Sequence, residues 1–170
     1  MKLHSLLPVR RTAAAWVAGV ALAGCATAPP PESPQRELVV AVTDSHELIT
    51  FNAGQPAQIL ERRPVTGLPT GERLVGIDFR VARGVLYALS QAGRLYTLDI
   101  PTGALRPVGA APSGVALRGT SFGFDFNPAA DRIRVVSNTG QNLRLHPDTG
   151  AAVDGDPAVA GVQPDPALRY

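Results

Sequence analysis

The sequence predicts an all-β fold of about three four-stranded antiparallel units in series, and three observations predict it. One pattern recurs without a gap every 47 residues, starting at Val40, Tyr87 and Arg134. Gly (17) and Pro (16) are abundant while only 18% of the 170 residues are charged, which is the composition of a turn-rich chain of short elements. Beyond residue 37 no stretch shows the sustained 3.6-residue periodicity of a helix.

Taken in chain order, the first element is a leader. Residues 1–24 carry Lys2, Arg10 and Arg11 with no acidic residue, then the apolar run Ala13-Ala14-Ala15-Trp16-Val17-Ala18-Gly19-Val20-Ala21. That run is short of the ~20 residues that span a bilayer and reads as the apolar core of a signal peptide. Leu22-Ala23-Gly24-Cys25 follows at the right distance and resembles the lipobox of bacterial lipoproteins. The resemblance implies cleavage between Gly24 and Cys25 and acylation of Cys25, which would anchor the protein to a lipid bilayer. Cys25 is the only cysteine, so it has no disulfide partner. Thr12-Ala13-Ala14 after the arginine pair lacks the bulky apolar residues of a twin-arginine signal, so the general secretory route is expected. Residues 25–37, with Pro29, Pro30, Pro31 and Pro34, read as an extended tether. Ala26 stands where a retention signal would place Asp, and the Gram-negative sorting rule then implies the outer membrane, facing the periplasm.

Residues 38–170 form the repeat domain. In each unit an alternating strand leads through a polar, Gly-containing turn into a second strand: Leu86-Tyr87-Ala88-Leu89, then Gly93, then Leu95-Tyr96-Thr97-Leu98, with Gly140 in the matching turn one repeat later. A second turn carries Thr102-Gly103 and, 47 residues on, Thr149-Gly150. Leu105-Arg106-Pro107-Val108 suits an edge strand because Pro107 lacks a donor. Gly76-Ile77-Asp78-Phe79 and Gly123-Phe124-Asp125-Phe126 supply a further strand, and four strands in 47 residues is the size of a β-propeller blade. Residues 38–170 hold just under three such units, whereas propellers have at least four, so the ring is expected to be incomplete in this chain and the domain to be truncated. The first and last units are expected to present faces of Val, Leu and Phe, so that the chain self-associates or is only marginally stable.

The Gly76–Arg80, Leu86–Leu89, Gly93–Asp99, Phe122–Pro128, Asp131–Ser137 and Gly140–Arg144 segments resemble the bacterial secreted family called domain of unknown function 4394. That family brings no assigned activity or catalytic residue. Leu95–Gly103 is more loosely similar to repeats of quinoprotein-like propellers, which commonly carry a tryptophan after the Thr-Gly turn; the one tryptophan here is Trp16 in the leader.

The net charge of +2 comes from the leader, because without Lys2, Arg10 and Arg11 there remain 13 basic against 14 acidic residues. The domain therefore lacks the electrostatic footprint of a nucleic-acid binder. Lys2 is the only lysine, which excludes a phosphate-binding loop lysine or a Schiff base in the domain. Asp78 and Asp125 stand at one repeat position and read as hydrogen-bond anchors rather than general bases. Asp154-Gly155-Asp156 reads as a turn, and His46 and His146 fall at different repeat positions, so no metal, cofactor or catalytic residue is expected. The expected function is non-catalytic binding or scaffolding, with a protein or envelope glycan as partner. The alternative is a periplasmic hydrolase or quinone-dependent enzyme whose site needs residues this chain lacks.

Overall fold

The computed structural model describes residues 37–110 and 112–168, all within one compact unit that spans Pro34–Tyr170. The leader, Gly24, Cys25 and nearly all of the tether lie outside the described residues. Among the described residues ten strands make three antiparallel meanders. Sheet 1 is β1 (Leu38–Val42), β2 (Glu47–Asn52) and β3 (Ile59–Pro64). Sheet 2 is β4 (Leu74–Arg80), β5 (Val85–Ser90), β6 (Leu95–Leu98) and β7 (Leu105–Pro107). Sheet 3 is β8 (Phe122–Asn127), β9 (Arg132–Ser137) and β10 (Asn142–Leu145).

The 47-residue offset is carried into the strands: β5 and β9 begin at Val85 and Arg132, and β6 and β10 at Leu95 and Asn142. By the same count β1, β2 and β3 correspond to β5, β6 and β7, and β8 to β4. Four strands are therefore found in sheet 2 alone among the described residues, which corrects the expectation of four in every unit. At the position of a fourth strand in sheet 3 only the single bridge Leu145↔Ala152 forms. Asp154-Gly155-Asp156-Pro157 follows at once, and that run cannot sustain a ladder.

Sheet 2 lies between the other two, and the sequence of β5 reflects it. Leu86 and Ala88 point with Tyr96, Leu98 and Leu105 toward Leu48 of sheet 1. Tyr87 and Leu89 point with Leu95 toward Phe126, Ile133, Val135, Leu143 and Leu145 of sheet 3. Because both faces are covered, the strand reads as a nearly continuous apolar run rather than an alternation. The Tyr87 and Phe126 rings meet edge to face, with centroids 5.1 Å apart.

The expectation of two apolar end faces holds for one end only. On sheet 1 the side turned away from sheet 2 carries Val39, Ala41, Ile49 and Phe51, all half-buried. On sheet 3 the alternation that sends Ile133, Val135, Leu143 and Leu145 inward puts Arg134, Asn142 and Arg144 on the other side. Residues 153–168 run along this polar side. Asp165 pairs there with Arg134 at 2.5 Å and Arg144 at 2.8 Å, and its N–H donates to the Asn142 carbonyl at 2.9 Å. Arg134 and Asn142 stand where sheet 2 has Tyr87 and Leu95, and this overturns the apolar reading of the last unit.

Candidate functional site

The site with the most chemistry is a cleft of about 550 Å³ where β4 and β8 run side by side, bounded by Asp78, Arg80, Arg83, Asp125, Phe126 and Asp131. β4 ends in a single 3₁₀ turn, Val81–Arg83, closed by Gly84 in the left-handed conformation; this turn forms one wall and leaves Val81 80% exposed. Asp78 lies on β4 where its Oδ2 accepts the Phe126 N–H at 2.7 Å, a main-chain donor from the neighbouring sheet. Asp125, at the same position of β8, is exposed.

Gly76 explains how the two strands come so near. A Cβ there would fall inside the van der Waals envelope of Phe124 Cβ. At Gly123 the nearest atom is only the end of a side chain, Val136 Cγ2 at 2.9 Å. Gly76→Ala is expected to destabilise the fold by about 2 kcal/mol, the cost of overpacking a tight contact. Gly123→Ala should cost clearly less, and paired urea titrations check the order. Gly103 and Gly150, both at positive φ, likewise bring their turns against neighbouring backbone, at Pro64 O and at Val108 O respectively. Gly93 and Gly140 take positive φ in the β5–β6 and β9–β10 turns.

Arg80 is the strongest electrostatic feature of the cleft. Its side chain is 3% exposed, yet it carries three links: both Asp131 carboxylate oxygens, Asp148 Oδ1 at 2.6 Å and the Tyr87 hydroxyl at 3.5 Å. Hydrogen bonds to Asp131, then to Asp148, outweigh desolvation and hold the guanidinium above its ordinary pKa. The same bonds from Arg80 hold both carboxyls below the usual aspartate range. Asp131 sits in the β8–β9 turn at φ 50° and Asp148 in the turn after β10, so one cation from sheet 2 clasps two turns of sheet 3. Sequence reasoning did not bring these three residues together. Repeat comparison could not have found them, since the counterparts of Asp131 and Asp148 one repeat earlier are Gly84 and Pro101.

The other sequence candidates are dispersed. His46 occupies the β1–β2 turn at φ 58°, with Thr43 Oγ1 and Ser45 Oγ 2.8 Å apart beside it. His146 Nδ1 accepts the Asp148 N–H at 3.2 Å. Asp154 Oδ1 accepts the N–H groups of Asp156 and Gln163, and these bonds hold its carboxyl below the ordinary range. Among the described residues no group of three or more His, Cys, Asp or Glu gathers to hold a metal. The cleft can accept and donate hydrogen bonds and pair charges.

Three antiparallel meanders, the middle one packed between the other two, define an all-β protein. The chain belongs to the family described as domain of unknown function (DUF4394), whose model matches residues 47–168. No curated protein matches the chain.

Proposed function

We propose that this chain is a lipid-anchored envelope protein whose propeller-like stack serves as a non-catalytic binding or scaffolding module. Acylated Cys25 holds it to the bilayer, in the outer membrane on the periplasmic side, and a protein or glycan is the partner. The observation that carries the propeller-like reading is the lateral contact of β4 with β8. Equivalent strands of successive sheets stand beside one another, joined by Asp78 and Phe126, as the inner strands of adjacent blades do. The anchor rests on Leu22-Ala23-Gly24-Cys25. Export and lipidation precede any binding role, so Cys25→Ser tests the reading. In a Gram-negative host the variant is expected to accumulate as unprocessed precursor and to incorporate no labelled fatty acid. Normal processing without label would replace the anchor with ordinary signal-peptide cleavage.

A further inference from the structure

Sheet 1 has counterparts of β5, β6 and β7 but, among the described residues, none of β4. By the 47-residue count that position falls to residues 27–33, Thr-Ala-Pro-Pro-Pro-Glu-Ser. Pro29, Pro30 and Pro31 have no N–H to give a ladder, and the stretch lacks both the Gly and the Asp that seat β4 against β8.

Among the described residues nothing pairs where such a strand would lie, and β1 is an edge strand. Thr43 N–H donates to Glu47 O and Ala53 N–H to Glu37 O, which sets the phase of the β1–β2 ladder. With the Ala41↔Ile49 and Val39↔Phe51 pairs on that phase, the backbone N–H and C=O groups of Leu38, Val40 and Val42 point to the free edge. Their counterparts Val85, Tyr87 and Leu89 are the residues of β5 opposite Arg80, Asp78 and Gly76 of β4. Beside that edge lies a groove of about 420 Å³ between Val42, Thr43 and His46 on one side and Leu74, Gly76 and Ile77 of β4 on the other.

We propose that this groove is a strand-docking site. Its occupant is an extended segment of a partner polypeptide with the pattern Gly-apolar-Asp-apolar, paired antiparallel to β1. The interface already present between β4 and β8 specifies this occupant when moved back by one sheet. Gly of the incoming strand lies opposite Val42 and packs on Ile77, as Gly76 packs on Phe124. Asp lies opposite Val40 and accepts the Phe79 N–H, as Asp78 accepts that of Phe126. Main-chain bonds along an edge supply affinity, while alternate side chains supply specificity. The proposal rests on the stacked-repeat reading and is independent of the lipid anchor.

The test uses the full chain and a fluorescent synthetic peptide copying residues 73–81. Saturable binding is expected, together with slowed hydrogen exchange at the Leu38, Val40 and Val42 amides. Peptides carrying Gly76→Val or Asp78→Ala should bind at least tenfold more weakly. Equal binding of a scrambled peptide, protection at other strands, or no binding overturns the assignment. Protection of the same three amides on raising protein concentration without peptide also overturns it, because a second copy would then occupy the groove. The exchange map separates this failure from that of the underlying reading. Protected β5 and β9 without peptide binding removes only the docking site, whereas unprotected β5 and β9 removes the stack itself.

Discussion

Leu89→Ala is expected to lower unfolding stability by about 3 kcal/mol, with little change in the denaturant slope. Leu89 is fully buried, on a strand enclosed between two sheets, and its side chain belongs to the cluster with Leu95, Ile133, Val135 and Leu143. The closely packed neighbours cannot collapse into the space without moving sheet 3 relative to sheet 2, so the cavity term adds to the lost transfer energy. Leu60→Ala provides the contrast, because Leu60 is 52% exposed and should cost less than about 0.5 kcal/mol. Urea titrations followed by far-ultraviolet circular dichroism measure both, and equal losses would mean that the sheets do not share a core.

Removing the two carboxylates of the clasp should hurt more than removing its cation. Asp131→Ala with Asp148→Ala leaves the Arg80 guanidinium buried with only the Tyr87 hydroxyl, and an uncompensated buried charge is among the costliest defects a fold can carry. A drop of about 10 °C in Tm is expected. Arg80→Met leaves carboxylates that are about half exposed and can be hydrated, so it should lose less than half as much. The acid limb follows the same logic. Both carboxyls have folded pKa values below the ordinary one, so their contribution is complete above about pH 4 and is lost as pH falls through the depressed values. Arg80→Met should flatten that limb, and an unchanged acid midpoint would count against the clasp.

What could be read from the sequence was what repeats. The register was legible because each unit must present the same apolar positions to a neighbour, so Leu86, Ala88, Tyr96 and Leu98 reappear as Ile133, Val135, Leu143 and Leu145. What could not be read was what differs between copies. The clasp joins residues 51 and 68 positions apart that have no counterparts one unit earlier. The polar side of sheet 3 was equally hidden, because Arg134 and Arg144 on a strand look like solvent-facing residues until Asp165 is seen to lie over them. The role of Gly76 stood on the page as a repeated glycine. Its reason, the approach of Phe124 from the next sheet, is tertiary.

The unlike ends of the stack set a limit on growth. Head-to-tail addition, the kind of contact that builds open fibres, requires each copy to offer two complementary surfaces. Here the apolar side of sheet 1 would have to meet the ion-paired side of sheet 3, and Arg134 and Arg144 would lose Asp165 to a surface of Val39, Ile49 and Phe51 that returns no charge. Only the sheet 1 side can then meet its own kind across a twofold axis. Association through the sheets would then stop at two copies, since a pair joined across a twofold axis leaves only the ion-paired side of sheet 3 facing outward.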